Sequence, residues 1–187
     1  MDSSRCIRQK ICSIVSGSKV PEDPIHSQNT FDWLMKMKPD ADESLQIAAL
    51  GHDIERAVEG SKVLKADFAD FEAFKSAHAL NSARILKAIM FECKAPEDMV
   101  NEVYRLVALH ETGGDPRSNL LKDADSLSYF EVNLPFYFRR HGWEETLRRS
   151  VWGYQRLSPR AQSIVTGFRY SDAEPSRLLE AVLRLVR

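Results

Sequence analysis

Apolar residues recur at three- and four-residue steps along almost the whole chain, and no convincing run alternates with a period of two. That rhythm builds helices and leaves little from which to make a sheet. A first helix is expected from about Ser4 to Val15, before a breaker-rich stretch from Gly17 to Pro24. A second begins near Pro24, whose fixed φ suits a first turn, and carries His26, Thr30 and Trp33 on one face until Pro39 and Asp40 end it. Asp42 offers an N-cap for a third, striped by Leu45, Ala48, Ala49 and His52. A long helix is expected over about Asp67 to Glu92, with Phe71, Phe74, His78, Asn81 and Ile85 along it. Pro96 starts the next, striped by Val100, Val103, Val107 and His110. Thr112 to Asn119 reads as a loop, Leu120 to Phe130 as a helix that aligns Leu121, Asp125 and Ser128, and Leu134 to Phe138 as a candidate extended segment after Pro135. Two or three more helices follow Gly142, with Ser158-Pro159 and Glu174-Pro175 as starts. The fold class expected is all-α.

The 187 residues suit one domain, or one domain with an appendage, and a net charge of −1 supplies no global basic field for a nucleic acid polymer. Cys6, Cys12 and Cys93 form no CxxC pair, and reduced structural thiols in a cytoplasmic protein are expected of them. No apolar run follows Arg5, Arg8 and Lys10 as a signal peptide would require, and none is long enough to span a membrane.

Four of the five histidines fall on the inward stripes just described. One histidine on an apolar helix face is more often a hydrogen-bonded core residue than a ligand. The aspartate of the adjacent His52-Asp53 is harder to explain that way, because Asp is almost never fully buried unless paired or metal-bound. His26, His52-Asp53, His78, His110 and Asp125 come from five different helices, each on or beside the inward face. Gathering imidazoles and carboxylates in one interior is costly unless something positive sits among them. A divalent ion is the simplest such object, and the mixed nitrogen and oxygen set suits Mn, Fe, Co, Ni or Zn better than Ca or Mg.

The order of His26, then His52-Asp53 closing a helix in AALGHDIER, then Asp125 in LLKDADSLSYF, resembles the HD superfamily of metal-dependent phosphohydrolases. The resemblance covers about residues 20 to 135 and implies an HD-type helical bundle, with the helices of about 142 to 187 as a C-terminal extension in one domain of 1 to 187. It implies one divalent metal on His26, His52, Asp53 and Asp125. Asp123 is the poorer candidate, lying about 200° around the helix from Asp125. FKSAHALNSARIL and VALHETGGDP resemble the segments that hold a second metal in some HD subfamilies, which would add His78 and His110, though both could instead be core or substrate-contacting residues.

The activity implied is hydrolysis of a nucleotide or another small phosphate ester by a metal-activated water. Asp53, His78 and His110 would be the catalytic groups. Arg56 departs from the Lys or Glu that many HD hydrolases carry four residues after the doublet's His; it could bind phosphate or simply pair with Glu55 or Glu59. Lys75, Lys122 and Glu111 are further candidate substrate contacts, and the Gly113-Gly114 loop could close over the site. Arg139, Arg140, His141, Arg148 and Arg149 read as an exposed basic face offset by Glu144 and Glu145, with His141 outside the site. Two rival readings stand beside it: a di-iron oxygenase that cleaves a carbon bond, which would share the same ligands, and a non-catalytic sensing or scaffolding module, whose usual signature is the loss of one or more ligands, none of which is missing here. A small phosphorylated substrate is the expected partner, with neither nucleic acid polymer nor membrane; the helices after Gly142 could form a homodimer interface.

Overall fold

The computed structural model describes residues 2–186, and no strand occurs among them. The chain is all-α. Helix α1 (Ser3–Ser16) is capped by Asp2, α2 (Asp23–Met37) takes Pro24 in its first turn, and α3 (Glu43–Gly51) starts where the Asp42 carboxylate accepts from the Leu45 N–H. Three short 3-10 turns lead to α4 (Phe71–Glu92), capped by Asp70, so the long helix starts a turn later than its periodicity suggests. α5 (Glu97–Ala108) follows Pro96, and α6 (Pro116–Ser128) opens on a capping box in which the Asp115 carboxylate accepts from the Arg117 and Ser118 N–H groups. The expected loop over Thr112–Asn119 is therefore cut to a tight turn.

The segment Leu134–Phe138 is helical, not extended. Pro135 lies in the first turn of α7 (Leu134–Gln155), where its missing N–H costs nothing. Further along a helix its ring would clash with the carbonyl of Glu131, and the backbone avoids this with a wide π turn over Tyr129–Asn133, closed by the Leu134 N–H donating to the Tyr129 carbonyl. Gly142, at φ +73, bends α7 into two limbs. α8 (Pro159–Val165) and α9 (Ala173–Leu185) complete the chain.

Two hydrophobic cores form. The larger packs α1 to α5 and the start of α6 around Ile11, Leu45, Leu86 and Leu106; the smaller packs Leu127, Phe130, Leu134, Val165, Leu178 and Val182. Trp33 and Met37 on α2 touch both. Cys6 and Cys93 are joined in a disulfide that ties α1 to the end of α4, while Cys12 is free and exposed. The expectation of three reduced thiols fails because residues 87 apart in sequence meet only through the packing, and the thiol argument for a reducing compartment goes with it. No helix among the described residues is long and apolar enough to cross a membrane.

Gly51 ends α3 with a close approach. A Cβ there would lie 2.7 Å from Leu86 Cδ1 and 3.4 Å from Ile11 Cδ1, and Leu86 is fully buried, so the core must shift to admit it. Gly51→Ala is expected to destabilise the fold by about 1–3 kcal/mol in denaturant titrations through overpacking. The Asp115 cap gives a second expectation. Its hydrogen bonds, first from Ser118, hold its carboxyl below the usual range against a smaller opposing effect of burial. It therefore adds stability above its unfolded pKa of about 3.9, and that stability is lost as pH falls. Asp115→Ala should cost about 0.5–2 kcal/mol at pH 7, and the gap from the parent should shrink in acid titrations.

Candidate metal centre

Five helices deliver ionisable side chains to one buried layer between the cores. His26 comes from the middle of α2, His52 and Asp53 from the end of α3, His78 from α4, His110 from just past α5, and Asp125 from α6. The four imidazoles are almost completely buried, and His52 and His110 wholly so. They fall into two groups. In the first, His26 Nε2 and His52 Nε2 are 3.2 Å apart, and Asp125 Oδ1 lies 3.3 and 3.4 Å from them. In the second, Asp53 Oδ1 lies 2.7 Å from His78 Nε2 and 3.6 Å from His110 Nε2, with Glu111 Oε1 3.3 Å from the latter. Asp53 links the two, its oxygens 3.8 Å from both His26 Nε2 and His52 Nε2.

The opposite face of each ring decides what the inner nitrogen can do. His52 Nδ1 meets the Ala49 carbonyl at 2.9 Å and His110 Nδ1 the Val107 carbonyl at 2.7 Å; a carbonyl only accepts, so both Nδ1 atoms carry the proton. The Ser128 hydroxyl donates to the His26 carbonyl, so it must accept from His26 Nδ1 at 2.7 Å. His78 Nδ1 donates to the buried Glu55 carboxylate. In their neutral forms all four rings therefore turn an Nε2 lone pair inward. In the first group two lone pairs and a carboxylate oxygen crowd within 3.4 Å with no hydrogen between them. Two ligand atoms each about 2.1 Å from a common ion, at roughly 90–109°, lie about 3.0–3.4 Å apart. The spacing fits a cation, and a buried His/Asp/Glu cluster of this kind could hold a metal ion.

A family model described as Domain of unknown function (DUF4202) matches residues 10–177. The chain belongs to that family. No curated protein and no solved structure matches it. The matched span takes in every residue of the DUF4202 cluster, from His26 to Asp125, and runs on through most of the second core.

Charge around the cluster is short of cations. Arg56 hydrogen-bonds Asp23 and lies 3.7 Å from Asp53; Lys75 pairs with Glu111; Arg156 pairs with Glu111 at 2.5 Å and lies 3.7 Å from Asp125. Burial pushes His110 down, but the Glu111 and Asp53 carboxylates more than reverse it and carry its pKa up to about 10. Burial likewise opposes protonation of His78, and Asp53 and Glu55 overcome it. Burial raises Asp53, yet His52 and His78 hold its carboxylate well below the usual range. Without a metal the cluster draws in protons instead, so any metal must displace them.

Beside His78 the layer opens into a cavity of about 360 Å³, lined by Glu55, Arg56, Lys75, Phe71, Phe74, Tyr137 and Arg140 among others. Arg56 reaches it, but its partners are Asp23 and Asp53 and not Glu55 or Glu59. Glu111 lies in the ligand layer itself. Lys122 is not brought to the cavity and sits against the Gly113 turn, and that turn is pinned by the Asn119 side chain away from the opening. Asp123 caps the Ser158 N–H and hydroxyl. His141, read as outside the site, lines the cavity wall, as do Arg140 and Arg149. Glu55 and Arg156 were not singled out from the sequence: one is masked by its neighbour Arg56, and the other comes from a helix with no ligand pattern.

Glu55→Gln is expected to weaken metal binding about 10–100-fold in chelator competition, because a partner that orients a ligand His is worth that much. Asp53→Ala should lose binding at both groups. For the parent, affinity should rise with pH and level off only above about pH 10, where His110 has lost its proton, and calorimetry in buffers of different ionisation enthalpy should detect the protons released.

Proposed function

We propose that this chain is a metal-dependent phosphohydrolase of the HD type, acting on a nucleotide or another small phosphate ester. What supports it is one observation: four Nε2 lone pairs and shared carboxylates converge in a buried layer that meets, at His78, a cavity walled by cations and aromatic rings. The ligand order matches the HD resemblance residue by residue, with His26, His52, Asp53 and Asp125 for one ion and His78 and His110 for a second. A divalent transition metal there would supply Lewis acidity toward a phosphoryl oxygen and an acidified water.

The chain's own groups do the rest. Asp53, reached by both groups, would hold them in register. Glu55 fixes the His78 ring, and the Val107 carbonyl fixes His110, so neither turns when substrate binds. Arg56 and Lys75 line the cavity and are anchored by Asp23 and Glu111, and their remaining N–H donors would serve phosphoryl oxygens. The cavity volume lies near the lower end of the range for small-molecule sites, about 300–1,000 Å³. It suits a mononucleotide-sized ester better than a dinucleotide.

The test is phosphate release from a panel of nucleotides, cyclic dinucleotides and sugar phosphates, using protein stripped and reloaded with Mn, Fe(II), Co, Ni or Zn. Turnover should require metal and should fall about 10³-fold or more in Asp53→Ala. Tight metal binding with no phosphoester turned over would retire the reading; oxygen uptake by an iron-loaded sample would replace it with the oxygenase.

A further inference from the structure

The cations around the cavity differ in one respect. Arg56 is taken by Asp23, Lys62 by Glu59, Lys75 by Glu111 and Arg140 by Glu22; Lys65 forms no ion pair among the described residues, but it is exposed to solvent, with its ammonium 5.5 Å from the Phe71 centroid. Arg149 forms no ion pair among the described residues, and its buried Nε has no hydrogen-bond partner. Glu145, one turn earlier on α7, gives its carboxylate to Arg148 and Tyr137. The Arg149 guanidinium lies instead among ring faces, its central carbon 4.9 Å from the Tyr129 centroid, 5.5 Å from Tyr137 and 5.8 Å from Phe71. Aromatic faces attract a cation but accept none of its five N–H donors in ordinary hydrogen bonds, and the one polar group that reaches Arg149 from these rings, the Tyr129 hydroxyl, is shared with Ser150. A half-buried guanidinium held this way keeps its affinity for an anion unspent.

Its position shows where the anion would sit. Arg149 lines the main cavity and also a narrow gap that runs between Tyr129, Trp152 and Arg156 to Asp125. It therefore stands between open solvent and the metal-ligand layer.

We propose that Arg149 is the anion-binding residue of this cavity. Its fork takes two oxygens of a phosphate group bidentately, and Phe71, Phe74 and Tyr137 pack against a flat organic portion of the same ligand. The ligand class is a small phosphate monoester with a planar ring, of mononucleotide size. The inference rests on the phosphohydrolase reading for the identity of the anion as phosphate.

The experiment measures binding by calorimetry on metal-loaded full chain, with inorganic phosphate and adenosine 5′-monophosphate as probes. The parent should bind both, the nucleotide more tightly. Arg149→Gln should weaken each about 10- to 100-fold, and Arg149→Lys should recover only part of the loss, since an ammonium carries the charge without the fork. Arg148→Gln, at the exposed neighbour paired with Glu145, should bind as the parent does. Thermal unfolding separates a binding role from a structural one: Arg149→Gln should still unfold in one cooperative transition, lowered at most by the loss of its ring contacts, and phosphate should no longer raise its Tm. Unchanged phosphate affinity in Arg149→Gln would overturn the proposal, and so would a parent that binds neither probe. Turnover with Arg149-independent binding would remove this proposal alone. Arg149-dependent binding with no turnover in any metal form would keep it and remove the phosphohydrolase.

Discussion

Four imidazoles with their outer nitrogens already committed are the constraint on which the rest of this structure depends. Each Nδ1–H is donated to a fixed acceptor of the scaffold: Ser128, the Ala49 carbonyl, Glu55 and the Val107 carbonyl. None of the rings can relieve the crowding of its inner lone pair by turning over, because that would strand a buried acceptor. Inside this layer only a proton or a metal ion restores balance. The same arrangement that makes the empty interior unfavourable is one that could receive a metal ion without turning a ring.

Two of those acceptors come from the helix ends themselves. A helix leaves its last four carbonyls without partners inside the helix. His52 follows Ala49 by three residues at the end of α3, and His110 follows Val107 by three just past α5, so each ring satisfies a carbonyl of its own last turn. The carbonyl ends of both helices point toward the layer, where their dipoles favour positive charge. Close packing completes the convergence: Gly51 lets the end of α3 press against Leu86 of α4, and that contact brings His52 and Asp53 within reach of His78.

The ligand layer was legible in the sequence because each of its members sits on a helical stripe whose period is local. His26, His78 and Asp125 could be placed inward from their neighbours alone, and the His52-Asp53 doublet stood out as polarity following an apolar turn. The helix starts at Asp42, Pro96 and Ser158 were legible for the same local reason. What was lost depends on distant partners. The Cys6–Cys93 bond, the Arg156 contact with Glu111 and the placing of His141 on the cavity wall follow from how α7 and α1 pack, and no spacing encodes that. Pro135 was ambiguous in principle, since a proline after Asn133-Leu134 suits an extended segment or a first helical turn equally well. The π turn before it, which settles the matter, exists only in three dimensions.

The two cores divide the work. The larger holds all the ligand-bearing helices in place, and its stripes read as ordinary helix packing. The smaller serves mainly to position α7, and the bend at Gly142 explains how one helix contributes to two parts of the site. The first limb, with Tyr137, Arg140 and His141, walls the cavity; the second, with Arg149 and Arg156, leans toward Asp125 and Glu111. A straight helix of this length would run past the ligand layer in one direction. Gly142 adopts a positive φ that a side chain would strain, and a residue with a Cβ at that point would favour a single continuous direction. The positive wall of the cavity thus depends on a backbone angle and on a hydrophobic cluster that contributes no ligand, and the DUF4202 match likewise extends well past Asp125 to residue 177: the buried His/Asp/Glu layer without α7 would keep its side chains but lose the cationic wall of the cavity beside it.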